Sequence, residues 1–139
     1  MFTVGELLQS WLAPLAEVSS RVGGKYELFW QPNDRENNST IGCRITALET
    51  DQLLSFEWKG PVQFKHFMNE SDPLTHVTVC FIPGGGGGST GWTDVHLIHT
   101  GWRGTDEWEE ARQWFEVSWR GAFKELSSQV NGVALSDVD

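Results

Sequence analysis

Between Asp106 and Val130 the apolar residues recur at helical spacing, and no other stretch restricts the fold as strongly. With about 100° between successive residues, Trp108, Ala111, Phe115, Trp119, Ala122, Phe123, Leu126 and Val130 fall in one stripe. Thr105 or Asp106 is the expected N-cap, Asp106 and Glu109 stand at capping-box spacing, and Glu107 and Glu110 complement the positive end of the helix dipole. Asn131-Gly132 supplies the stop, because both residues tolerate the left-handed conformation that closes helices. Such a helix is roughly 37 Å long at about 1.5 Å per residue, so its greasy face needs a wide partner. The β-rich sequence before it is the only candidate, which predicts a sheet wrapped along the helix.

The chain has 139 residues, suiting one domain over 1–132 with 133–139 as a loose tail. Cys43 and Cys80 lie in strand-like segments without ligand spacing, which fits free thiols in a reducing compartment rather than a disulfide or zinc framework. No membrane-length apolar run and no signal-peptide pattern is visible, so the reading is cytoplasmic. A formal net charge of -9 repels phosphate backbones and argues against nucleic acid as a partner. Eight tryptophans and eight phenylalanines are many for this length; most suit the core, and the excess is compatible with an apolar pocket.

Before the helix the chain alternates turn signals with short apolar runs. Gly5–Trp11 suits a short amphipathic helix stopped by Pro14, and no strand is expected before Gly23-Gly24. Strands are predicted over Lys25–Gln31, Thr40–Leu48 with Cys43, Ile45 and Ala47 on one face, Leu53–Lys59, Thr75–Ile82 and Gly91–Thr100. Pro61–Pro73 lacks periodicity and reads as an irregular loop. Gly84–Gly88 is followed by Ser89-Thr90 without the lysine of a phosphate-binding loop, and reads as a hairpin tip. Consecutive hairpins give an antiparallel meander, and with the final helix the class is α+β, a helix-grip arrangement.

Four stretches make a family visible: Gly23-Gly24-Lys25-Tyr26-Glu27-Leu28, Leu54-Ser55-Phe56-Glu57-Trp58, Thr93 to Trp102 with its His-Thr-Gly-Trp ending, and the Ala111-Arg112 to Leu126 helix. In this order they resemble the domain family named after the activator of the ninety-kilodalton heat-shock protein's ATPase, within the START-related, birch-pollen-allergen-like superfamily. The resemblance covers roughly Phe2–Val130. It implies a curved antiparallel sheet around the C-terminal helix, commonly with an apolar cavity between them. Members usually open with a strand that pairs with the last strand before the long helix. This chain begins after that point, and a homodimer through Gly91–Thr100 would cover the bared edge.

Arg112 falls about 40° from the centre of the helix stripe, between Trp108 and Phe115, where a charge needs a partner. It is a candidate anchor for the acidic group of a ligand whose apolar part lies along Phe115, Trp119 and Phe123; the ordinary alternative is an outward lean to Glu109 and Glu116. His99 shares the inner face with Val95 and Leu97, as a candidate polar contact or as a satisfied core histidine. The candidate ligand-binding set is Phe56, Trp58, Val79, Phe81, Leu97, His99, Arg112, Phe115, Trp119 and Phe123. Phe64, Phe67, Met68, Trp92 and Trp102 either gate such a cavity or fold back to lid the core.

His96 and His99 point to opposite faces and cannot share a metal. No catalytic residue, metal site or cofactor is indicated. The leading expectation is a module holding a small hydrophobic molecule, such as a lipid or aromatic metabolite. A chaperone-associated interaction domain is the competing expectation. An enzyme rests only on superfamily relatives that catalyse cyclisation or hydrolysis.

Overall fold

The computed structural model describes residues 2–83 and 93–129. Val130, the glycine run, Gly91, Trp92, the Asn131-Gly132 stop and the tail therefore lie outside the described residues. The element order is α1 (Gly5–Leu8), β1 (Leu15–Val18), β2 (Tyr26–Phe29), β3 (Ile45–Glu49), β4 (Leu53–Trp58), a 3-10 turn (Val62–Phe64) running into α2 (Lys65–Met68), β5 (Thr75–Pro83), β6 (Thr93–Thr100) and α3 (Asp106–Gln129). β3-β4-β5-β6 form an antiparallel meander, and β1-β2 form a two-stranded sheet beside it.

The two sheets meet along an irregular seam. Lys25 bridges to Arg44 and Phe29 to Ser39. Tyr26 N–H donates to the Cys43 carbonyl at 2.8 Å, and Gly24 and Ile45 are joined at 2.8 Å. The expected strand at Thr40 begins only at Ile45, because Thr40–Cys43 closes a turn, with Gly42 at φ 86°. The buried Thr40 hydroxyl substitutes for ladder bonds there: it accepts from Leu28 N–H at 2.9 Å and donates to the Tyr26 carbonyl at 3.0 Å.

Two further expectations are corrected. β1 forms where no strand was expected: Ala16 pairs with Leu28 and Val18 with Tyr26, so tertiary pairing overrides a sequence with weak β character. In β3 the register shifts between Ile45 and Ala47, placing Leu48 opposite the buried Leu54 and Ala47 opposite Ser55. The bulge thus turns Leu48 to the core and moves Ala47 off the inner face. Pro61–Pro73 is also more ordered than a loop, since it holds the 3-10 turn and α2.

From β4 onward the predicted phases hold. Leu54, Phe56, Trp58, Val77, Val79, Val95, Leu97 and His99 are buried, and so are Trp108, Ala111, Phe115, Trp119, Phe123 and Leu126 of α3. These faces bury each other in one cluster, which Tyr26 joins by stacking on Phe56 at 3.9 Å. Thr105 caps α3, its hydroxyl accepting from Trp108 N–H at 3.3 Å.

Gly24 in the β1–β2 turn is buried, and a Cβ there would collide with the backbone oxygens of Ser19 and of Arg21, the latter at 2.9 Å. Because backbone rather than a flexible side chain blocks it, Gly24→Ala is expected to cost about 1–3 kcal/mol in urea melts. A cost near zero would show that this turn has freedom to move.

Candidate functional site

The space directly beneath the α3 stripe is filled with rings. Trp58 and Trp119 stand 5.1 Å apart by centroid, and His99 and Phe115 5.0 Å apart. Phe123 packs at 6.2 Å from Trp11 and 6.3 Å from Phe2. The opening lies at the flank of this packing. A cleft of about 660 Å³ runs between α3, the Trp11-Leu12 segment, the ends of the β2–β3 connection and the end of β4.

α3 contributes Trp114, Phe115, Ser118, Trp119, Gly121, Ala122 and Glu125 to this cleft, spaced as one helical edge. Opposite stand Trp30, Gln31, Asn38, Ser39 and the run Trp58–Pro61 with Gln63. Five of the eight tryptophans, Trp11, Trp30, Trp58, Trp114 and Trp119, border this one space. Trp30 is held by its N–H, which donates to the Leu12 carbonyl at 3.0 Å. The Trp58 N–H is buried and has no acceptor among the described residues.

His99 orients part of this wall. Indole N–H groups only donate, so the 3.2 Å contact from Trp119 Nε1 makes His99 Nδ1 the acceptor. The imidazole proton therefore sits on Nε2 and is donated to Thr75 Oγ1 at 3.0 Å, while the Thr75 hydroxyl faces the Trp58 carbonyl at 3.3 Å. Burial, with His76 a lesser contributor, holds the His99 pKa down to about 3, so the ring is neutral. This is a satisfied core histidine that positions Trp119.

Of the sequence-predicted set, Trp58, Phe115 and Trp119 border the cleft. Phe56, Val79, Leu97, His99 and Phe123 are buried in the packed interior, and Phe81 packs on its edge against Phe2 at 5.5 Å. Arg112 leans outward: its Nε and Nη2 donate to the two carboxylate oxygens of Glu109 at 2.9 and 2.6 Å, and Glu116 lies at 4.0 Å. That fork holds the Glu109 carboxyl down to about 2, with Gln113 assisting.

Sequence reasoning missed Trp11, Leu12, Trp30 and Trp114. The surplus of tryptophan was the only signal for them. Phe64 and Met68 are buried, Phe67 packs on Trp108 at 5.0 Å, and Trp102 donates to the His99 carbonyl at 2.9 Å, so these side chains lid the core.

Burial pushes the Cys43 thiol up to about 12, and both cysteines are free. Among the described residues no three His, Cys, Asp or Glu side chains converge as a metal site. No helix of the described residues is long and apolar enough to cross a membrane.

An antiparallel meander gripping one long helix, with an aromatic cleft at the helix flank, defines the chain as an α+β protein of the helix-grip class. It matches the family model described as Activator of Hsp90 ATPase homolog 1-like protein over residues 1–131, and it belongs to that family, a member of the SRPBCC superfamily. No curated protein and no solved structure matches it.

Proposed function

We propose that the protein is a binding module for a small, largely apolar molecule, a lipid or an aromatic metabolite, held at the α3 flank. The observation that carries this reading is the cleft itself: about 660 Å³, open to solvent, and bordered by five tryptophans. Ligand sites are typically concave, about 300–1,000 Å³ in volume and mostly apolar with a few polar groups; here Gln31, Asn38, Ser39, Gln63 and Ser118 supply the polar groups. The contacts proposed are Trp58, Phe115 and Trp119 from the original set, joined by Trp11, Trp30 and Trp114. Phe56, Val79, Phe81, Leu97, His99 and Phe123 support that wall from behind. Arg112, engaged by Glu109, is not assigned a ligand contact.

A panel of lipids and aromatic metabolites tested by thermal shift checks the reading. A ligand present at 100 times its Kd adds about 2.7 kcal/mol of stability, a shift that is easily read. Trp30→Ala is expected to weaken the hit, and Arg112→Met to leave it unchanged. If no compound moves the melting temperature, the reading loses its basis.

The family description names a chaperone ATPase activator, which supports a second reading as a chaperone-associated domain. Its structural support is exposed apolar surface: Val62, Trp114 and Val117 are 53%, 40% and 71% accessible. Capture of an Hsp90-type chaperone, lost in Trp114→Ser, would favour it. Pairing of two copies along β6 belongs to the same set of proposals, because among the described strands β6 pairs only with β5. Monomeric light scattering at micromolar concentration would remove that proposal.

A further inference from the structure

The cleft is one part of a longer groove. A smaller hollow of about 220 Å³, between α2 and the start of α3, is bordered by Phe64, Phe67, Trp114, Glu107 and Glu110. It meets the cleft at Gln63 and Trp114, which border both spaces. On α3 the combined edge runs Glu107, Glu110, Trp114, Ser118, Gly121 and Glu125, three or four residues apart throughout, so these positions form one line along the helix surface. At about 1.5 Å per residue that line is about 27 Å long.

The groove is aromatic along its middle and acidic at both ends. Trp114, 40% accessible, stands where the two hollows join, with Trp30, Phe115 and Trp119 beyond it. Glu107 and Glu110 lie at one end and Glu125 at the other. Neither Glu110 nor Glu125 has an ion-pair partner among the described residues. Glu107 meets His66 Nε2 at 3.2 Å, an exposed contact of the kind that holds weakly against an incoming cation. Lys59, the other basic residue of the walls, donates to the Ile41 carbonyl at 2.6 Å. Arg120 and Lys124 are not among the lining residues, and Arg120 faces Glu116 at 3.7 Å. With a net charge of -9 on the chain, the field over this groove attracts cations.

We propose that the groove docks an extended segment of a partner protein, apolar in its middle and carrying lysine or arginine at both ends. Charge complementarity selects this occupant. About eight extended residues, at about 3.3 Å each, cover the distance between the acidic ends. A lipid carries its charge at one end, and an aromatic metabolite is too short to reach both. The proposal rests on the second reading above, in which the exposed Trp114 surface meets a partner, and it names that partner's chemistry.

The test titrates two capped peptides calorimetrically into the full chain: Lys-Lys-Leu-Trp-Leu-Leu-Lys-Lys and its twin with glutamate in place of every lysine. The basic peptide is expected to bind at least about tenfold more tightly at roughly 50 mM salt, with the preference shrinking by roughly 300 mM. Glu107→Gln with Glu110→Gln at one end, and Glu125→Gln at the other, should each weaken it by about threefold or more. Trp114→Ser should weaken it by about tenfold. Glu49→Gln with Asp51→Asn removes two charges at the β3–β4 turn, outside the groove, and should leave its affinity unchanged. All five carboxylates are exposed, so the amide variants keep the fold.

Equal binding of the two peptides overturns the proposal. An effect at one end alone overturns the spanning segment, and an equal effect of the β3–β4 pair assigns the preference to net charge and overturns the groove. If neither peptide binds, the proposal fails, while capture of an Hsp90-type chaperone still decides the second reading separately.

Discussion

Replacing Trp119 with alanine is expected to lower folding stability by about 3–5 kcal/mol, the range for removing a large buried aromatic. That is a large part of the 5–15 kcal/mol that holds a typical domain together. Trp119 is 3% exposed and its ring packs 5.1 Å from that of Trp58. Its loss opens a void at the junction of packed interior and cleft, and it removes the N–H that donates to His99 Nδ1, leaving a buried acceptor unpaired. Trp119→Phe keeps most of the ring volume but not the N–H, and should fall between wild type and alanine. Urea melts of the three proteins check the order. A Trp119→Ala cost under about 1 kcal/mol would mean that this ring is not part of the packed interior.

Acidification should destabilise the protein well before its carboxylates titrate. His99 is held at about 3 in the fold, against an ordinary value of 6.5, chiefly by burial and secondarily by His76. Between these two values the unfolded chain takes up a proton that the folded chain refuses, so stability falls as pH falls. The contribution is fully present above pH 6.5 and is lost downward at about 1.4 kcal/mol per pH unit, or about 2 kcal/mol by pH 5. Glu17 and Glu109, both lowered by their cationic partners from 4.5, add to acid lability only further down. The dependence of unfolding free energy on pH between 5 and 6.5 should therefore drop by about one proton in His99→Gln. A variant that retained the wild-type slope would assign the acid transition to another group.

The parts of this fold that were legible beforehand share one property: they follow from local periodicity. The α3 stripe reads as buried because its spacing matches a helical turn, and the alternation in β4, β5 and β6 shows which side chains face inward. β1 was not legible, because Leu15-Ala16-Glu17-Val18 becomes a strand only against its partner Tyr26–Phe29. Ala47 was assigned to the inner face because a bulge has no signature in the alternation it interrupts. Arg112 had two readings at equal angular position, and the fork with Glu109 was decided by side-chain direction rather than by helix phase.

The candidate site shows the same division more sharply. The α+β order, the inward strand faces, the greasy side of α3 and the family could be read along the chain, since each depends on residues near one another in it. The place of the opening came from packing across the fold. Trp11, Trp30, Trp58 and Trp114 come from four separate segments, and their convergence depends on how sheet and helix are set against each other. Periodicity says which face is covered, whereas the gap that remains depends on volumes meeting across the fold. That gap falls beside the stripe, where Ser118, Gly121 and Ala122 are too small to fill it.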